Sequence, residues 1–483
     1  MAVSSTIARP ARRTDADVSA SCDARLRLLI ASGGDDRIWL DPTTRRNRYG
    51  VPAAPATEEL WFSSSTASAV SPRGWAAAGE ALQQLTGPGG VSIAAHFDSL
   101  RQRLLALYGA PGAEAVLAAS GTEAELVTLC LTLGLAGRPV ANIVIAPAET
   151  GSGVPAAAAG AHFLDRASLG GAVAKARRLA GWEDAQVTLE TVEIRSPRGA
   201  LRPQAEVDQE AAQKAERAIA SGAFALLHVL DASKTGRTGV SRAAAAEVLA
   251  RHPERTLIVV DACQLRCSAA DIRRDLAQGF AVMLTGSKFA GGPAFCGALL
   301  LPGALADQLA QAKPAGAALA PYSAALDWPT TLRRPFGAGL IHPANLGLGL
   351  RWSAALAEIE AYEAIPAARR AAVLDGFDRS VRAHVDADPG LALTDRAAHR
   401  GAPGLIPILH VDRADPRAIY EALASGEGGR RPCHLGQPVA VGPALALRVC
   451  ASMPMITDAA ERGFAAVEAD LDEVFETWAR LRA

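Results

Sequence analysis

Short apolar runs alternate with longer helical patterns through the middle of the chain, and this alternation sets the first expectation of fold. Strands are predicted at Val116–Ala119, Asn142–Ala146, Ala223–Leu230, Thr256–Val260, Ala281–Thr285 and Gly297–Leu301. Between and before them, apolar positions recur at helical spacing over Leu100–Tyr108, from Ser120 to about Gly134, and over Ser241–His252. Strand segments that are apolar throughout, rather than every second residue, belong to a sheet buried on both faces. The expected fold class is therefore α/β with a mostly parallel central sheet. Ligands in such sheets collect at the carboxyl ends of the strands, and Ser120, Asp231, Asp261 and Lys288 all fall there.

The two ends of the chain read differently. Residues 1–57 are polar and rich in Arg, Asp and Pro, and are expected to form an N-terminal extension with one short helix near Arg25–Ile30. Its first stretch, Arg- and Ser-rich without an apolar core, reads as a loose surface arm. Residues 58–340 are expected to form a large domain, and residues 341–483 a smaller α+β domain. The latter carries a helix over Asn345–Tyr362, strands near Leu405–Val411 and Ala444–Cys450, and one closing amphipathic helix, Asp458–Leu481.

Composition narrows the class without deciding it. Of the 483 residues 49% are hydrophobic and 20% charged, which suits a folded protein with a large core. The formal net charge of −1 gives no global field for nucleic acid or an anionic membrane. No stretch approaches the roughly 20 apolar residues of a membrane span. The seven cysteines are odd in number and none is spaced as CxxC, so they are expected to be reduced thiols in a cytoplasmic protein, and no metal site is expected.

Lysine is scarce: only Lys175, Lys214, Lys234, Lys288 and Lys313 occur. Lys288 stands apart in Val282-Met283-Leu284-Thr285-Gly286-Ser287-Lys288-Phe289-Ala290-Gly291-Gly292-Pro293, between two core strands. An ammonium there costs several kcal/mol unless its proton affinity falls or the amine is covalently bonded, so an imine to a cofactor aldehyde is a physical reason for it. Asp261 ends the strand Thr256–Val260 and suits a carboxylate set against a pyridine nitrogen, although a helix cap or an ion-pair partner has the same sequence appearance. Ser120-Gly121-Thr122, at a strand-to-helix junction, offers free N–H groups and a hydroxyl to an anion such as phosphate, but S/T-x-x-E is also an ordinary capping box. Thr285 and Ser287 lie beside the lysine and suit the same anion.

The run Val259-Val260-Asp261-Ala262-Cys263-Gln264, then Met283-Leu284-Thr285-Gly286-Ser287-Lys288, then Gly291-Gly292-Pro293 resembles the class V aminotransferase and cysteine desulfurase group of fold-type I enzymes dependent on pyridoxal 5'-phosphate (PLP). The resemblance covers roughly residues 58–480. It implies PLP as cofactor, Lys288 as the Schiff-base lysine, Asp261 at the ring nitrogen and Gln264 near the phenolic oxygen. It also places Gly121, Thr122, Thr285 and Ser287 on the phosphate. Ala232-Ser233-Lys234-Thr235-Gly236 resembles the group's N-N-E-T-G loop, which brings Ser233 to the cofactor, and Thr150 occupies the place of a ring-stacking His. Leu447-Arg448-Val449 resembles the strand whose Arg grips the substrate α-carboxylate. His434, in the loop-like Arg430–Pro438, and Ser65, in the segment after Trp61, are expected near the substrate. A homodimer is implied as well.

The departures bear on the reaction. Ser287 replaces the usual His, Thr150 cannot stack as a ring, and Leu435 stands where desulfurases carry the sulfur-accepting cysteine. Cys433 lies two residues earlier. The sequence therefore points to a transferase of the aminotransferase V type acting on a small α-amino acid. A PLP-dependent lyase or bond-forming enzyme is an alternative on the same scaffold, and a catalytically idle PLP-fold binding protein is an alternative of another class. Specificity is expected to come from the N-terminal arm, the Glu149–Pro155 stretch and Arg430–Pro438.

Overall fold

A computed structural model describes residues 15–63, 68–313, 315–395 and 402–482. Seven strands form the large sheet in the order β2 (Glu114–Ala118), β8 (Gly297–Leu301), β7 (Ala281–Thr285), β6 (Thr256–Ala262), β5 (Phe224–Leu230), β3 (Val140–Ile145) and β4 (Val187–Val192). Pairings from β7 through β4 are all parallel, while β8 runs antiparallel to both its neighbours. The reversal at β8 has a local cause. The residues from Gly286 to Cys296 contain no helix, and a parallel strand needs a crossover long enough to return over the sheet. Every one of the six predicted strands is present; β4 escaped prediction because Val187-Thr188-Leu189-Glu190-Thr191-Val192 is half polar, as an edge strand can be.

Side-chain alternation divides the sheet into two faces. Leu227, Val229, Ile258, Val260, Val282 and Leu284 face a core shared with the helices Ile93–Tyr108, Gln204–Ala220, Arg242–Arg251 and Ala269–Ala277. The opposite face holds Leu226, Leu257, Val259, Ala281 and Met283, packed with the helix Gly121–Ala136. That helix has no polar side, consistent with its burial against the sheet.

A second sheet of five strands has the order β1 (Leu60–Phe62), β11 (Cys433–Val441), β12 (Ala444–Cys450), β10 (Leu405–His410) and β9 (Leu391–Leu393). β1 pairs parallel with β11, so a segment from the start of the chain completes the C-terminal sheet. Residues Arg430–Pro438, expected as a loop, therefore lie largely in a strand flanked on both sides. The closing helix is two: Met453–Arg462 and Ala465–Arg482, separated at Gly463, whose φ of +100° no helix can contain.

From Cys22 onward the N-terminal extension is packed, while the first stretch, expected as a loose arm, lies largely outside the described residues. The helix Asp15–Ile30 lays Leu26 and Ile30 against Val70, Ala78, Ala81, Leu82, Leu350 and Ala354. The following turn is held by Arg351, a fully buried residue of the helix Leu346–Ala364. Its guanidinium donates to the carbonyls of Phe295 (2.7 Å), Ile30 (3.0 Å), Gly33 (2.8 Å) and Ser32. Asn345 Nδ2 donates to the same Gly33 carbonyl at 2.8 Å. Burial lowers the Arg351 pKa to about 10, which still leaves it charged at neutral pH. Arg351→Met strands these carbonyls away from water and should cost roughly 3 kcal/mol or more. Urea unfolding and limited proteolysis check it: an unchanged midpoint with an uncut N-terminal segment would remove Arg351 as the anchor.

Candidate active site

The carboxyl ends of the parallel strands open into a cavity of about 380 Å³, within the usual range of about 300–1,000 Å³ for small-molecule sites. Alternation explains its floor. Asn142 on β3, His228 on β5, Asp261 on β6 and Thr285 on β7 all project to the face covered by the helix Gly121–Ala136. Parallel register then sets Leu230 opposite Asp261, and Asp261 opposite Met283, so these strands end at one level.

Lys288 lines this cavity, partly buried, on the turn after β7. Two glycines shape that turn. A Cβ on Gly286 would meet Ala355 Cβ at 2.6 Å and Cys296 Sγ at 2.9 Å, and Gly291 has φ +70°. Asp261 and Gln264 line the cavity too. The Asp261 carboxylate accepts from the Cys263 N–H at 3.0 Å, and Gln264 Oε1 is buried with no partner. Ser120, Gly121 and Thr122 form one wall, where Ser120 Oγ caps the helix by accepting from Glu123 N at 3.2 Å. The cap is one-sided, since neither oxygen of the Glu123 carboxylate finds a partner among the described residues, and the remaining first-turn N–H groups have no intrahelical acceptor. A Cβ at Gly121 would come within 2.7 Å of Cys263 Sγ, so glycine is required there.

Thr285, Ser287, Thr150 and Arg448 also line the cavity. Thr285 donates its hydroxyl proton to the Cys263 carbonyl at 2.7 Å, which leaves Ser287 as the hydroxyl beside the lysine. Thr150 donates to the Pro147 carbonyl at 3.1 Å. Arg448 is 1% exposed; its Nε donates to the Gln437 carbonyl at 2.9 Å, and no carboxylate among the described residues pairs with it.

Two expected residues, Ser233 and His434, do not line the cavity. Ser233 turns away because its hydroxyl donates to Glu149 Oε2 at 2.7 Å. His434 is held in β11, stacked on Trp61 with ring centroids 3.9 Å apart and bonded to Glu59 Oε2 at 2.7 Å. The parallel pairing of β1 with β11 sets Trp61 opposite His434 and fixes it there. Ser65 lies outside the described residues. Asp231 ends its strand as expected but pairs with Arg242 at 2.9 Å, outside the cavity.

Other residues arrive that sequence reading did not single out. His228 lies in the cavity floor, its Nε2 2.9 Å from Asn142 Oδ1, while Asn142 Nδ2 donates to Glu125 Oε1 at 2.8 Å. Burial opposes a proton on His228, but the carboxylates of Glu125 and Asp261 draw one, and its pKa ends above the ordinary histidine value. The detectable signal was an imidazole within an otherwise apolar strand, Phe224–Leu230. Arg37, Arg48 and Tyr49 reach the cavity from the N-terminal segment, and Arg37 is held there by Asp35 at 2.6 Å and by the Phe295 ring.

Lys234 is the second lysine in the cavity. Its loop is tied down by Glu149, a buried carboxylate that accepts from Arg195 Nε at 2.6 Å, from Ser233 and from Thr235. The Lys234 N–H donates to the Glu149 carbonyl at 2.8 Å. Among the described residues no carboxylate lies within ion-pair distance of the Lys234 ammonium.

No protein-family model matches the chain, and no curated protein matches it in sequence. Solved structures do match in shape. The Escherichia coli cysteine desulfurase CsdA aligns over 88% of this chain and 95% of its own, at 14% identity and a TM-score of 0.55. The alanine–glyoxylate aminotransferase of Nostoc sp. aligns over 89% and 96%, at 15% identity and 0.54. A structure described as SPT with PLP aligns over 88% and 87%, at 13% identity and 0.51. The chain has the type I fold of PLP-dependent enzymes. As in the sequence resemblance, the likeness spans desulfurase and aminotransferase alike, so the fold does not select the reaction.

The geometry of this fold-type I cavity generates a prediction for Lys234. Burial, with repulsion from Arg448 and Lys288, pushes its pKa from 10.5 down to about 8. A depressed lysine destabilises the folded state at every pH below its folded value, and the penalty fades as pH rises from about 8 to 10.5. Lys234→Met should therefore be more stable than wild type near pH 7, by roughly 3 kcal/mol at most. The gap should close toward pH 10.5 in ligand-free urea titrations. A gap that does not vary with pH would mean the amine is not desolvated.

Proposed function

We propose that this protein is a PLP-dependent enzyme acting on a small α-amino acid, in the manner of the class V aminotransferases. The observation that carries the proposal is the convergence of Lys288, Asp261 and the Ser120–Thr122 helix start on one cavity of the type I fold. The residues fit the cofactor on their own chemistry. Among the described residues Gln264 Oε1 is a buried acceptor lacking a donor, Gly121 leaves a close approach to its N–H, and the buried Ser287 lines the cavity beside the lysine.

In this reading Lys288 Nζ would hold the group, and the same amine would move a proton to or from the substrate Cα. Asp261, its carboxylate oriented by the Cys263 N–H, would hold a proton at the pyridine nitrogen. The Gly121 and Thr122 N–H groups, with Ser287, hold the phosphate at the positive end of the helix. Arg448, its Nε fixed by Gln437, turns its two terminal nitrogens to the substrate carboxylate as a planar fork. Bound there, PLP supplies a sink for the electron pair left at Cα when one of its bonds breaks. A homodimer belongs to the same proposal.

Desulfuration has no support from the cysteines. Cys433 is 2% exposed inside β11, paired with Leu60, and burial raises its thiol pKa. Leu435 carries no sulfur.

Incubation with PLP followed by borohydride reduction should add a pyridoxyl mass to the peptide containing Lys288, and Lys288→Ala should abolish that adduct. Asp261→Asn should keep the adduct and slow turnover of an accepted amino acid by about two orders of magnitude or more. An unmodified residue 288 in the wild-type digest would end the proposal.

A further inference from the structure

Two of the chain's five lysines share one cavity, in a protein whose other positive charges are nearly all arginines. Under the function proposed above Lys288 is committed to the cofactor, which leaves Lys234 to be explained. It is not there for stability, since Glu149, the carboxylate next to its loop, is already occupied by Arg195, Ser233 and Thr235. Nor is it a surface lysine, because the hydroxyls on either side of it are tethered inward to that same Glu149. Arg448 is the fully buried arginine of the cavity, and no carboxylate among the described residues pairs with it. The cavity's remaining carboxylates are engaged elsewhere: Glu125 bonds Asn142, and Asp261 faces Cys263 N.

We propose that Lys234 is a specificity residue for a second anionic group on the substrate, so that the amino acid accepted carries an acidic side chain while Arg448 holds its α-carboxylate. Two desolvated cations close enough to repel each other are satisfied together by a dianion and only half satisfied by a monoacid. Arg48, exposed at the cavity mouth and without an ion-pair partner among the described residues, adds to the same positive potential along the entry path. An alternative source of negative charge is the cofactor's own phosphate, and the test separates the two.

Protein loaded with PLP is titrated calorimetrically at pH 7 with succinate, glutarate and 3-phosphonopropionate, and with butyrate and valerate as monoacids of matching length. One diacid should bind roughly tenfold or more tightly than its monoacid counterpart. Lys234→Gln should erase that advantage with monoacid affinity unchanged, and Lys234→Arg should retain it. The proposal is overturned if diacids and monoacids bind alike, if none binds, or if Lys234→Gln weakens both classes equally. It is also overturned if Lys234→Gln releases the cofactor, which would assign the amine to the phosphate. Borohydride labelling of residue 288 on the same samples keeps the two readings apart. Absent labelling in wild type removes the PLP reading, whereas the ratio of diacid to monoacid affinity reports on Lys234.

Discussion

Strands β5, β6 and β7 run parallel and in register, and a slip of one residue in β6 would turn Asp261 to the face now occupied by Ile258 and Val260. A carboxylate there would meet the helices Gln204–Ala220 and Arg242–Arg251 through an apolar layer with no donor to receive it. Register is thus enforced by the same hydrophobic pattern that makes the strands, and the site inherits its precision from the core. The cost of placing polar groups on the site face is met locally. Asn142, His228 and Glu125 are each buried, yet each finds a partner in the others. A network of this kind tolerates the desolvation that any one member alone would not.

The N-terminal segment is part of that arrangement. Arg351 collects four carbonyls, three of them from Ile30, Ser32 and Gly33, and so converts a run of polar chain into a fixed wall of the cavity. Just beyond this anchor, Arg37 is clamped by Asp35 in a two-point contact and laid over Phe295, which precedes β8. The backbone between Arg37 and Val51 is then held close enough for Arg48 and Tyr49 to reach the mouth. A cation spent on packing one segment places two further side chains where substrate would enter.

What was legible in the sequence was what local pattern encodes. Continuous apolar runs gave the six central strands, and a lysine set between two of them marked the cavity before any coordinate was known. What was illegible depends on contacts distant in sequence. His434 looked available because Arg430–Pro438 is rich in turn-compatible residues, but β1, more than 370 positions earlier, covers it with Trp61 and Glu59. Ser233 looked like a cofactor ligand by loop resemblance; Glu149, 84 positions away, takes its hydroxyl. His228 was not singled out, although an imidazole within the otherwise apolar run Phe224–Leu230 was a signal the local pattern carries. The packing of the later part of the extension was illegible for a related reason, since its carbonyls and charges are met by Arg351 and Asp35, one of them more than 300 positions away.

The same long-range pairing bears on chemistry. A sulfur-accepting thiol has to reach the substrate and then turn to a second acceptor, which asks for a loop free to move. Here the corresponding stretch is hydrogen-bonded into a sheet, with β1 on one side and β12 on the other, and Gly436 lies against the Arg448 side chain. Movement of β11 would therefore disturb the Arg448 guanidinium. Under the proposed function, a rigid strand behind Arg448 suits a reaction completed within one cavity. It does not suit one that exports an atom on a mobile side chain.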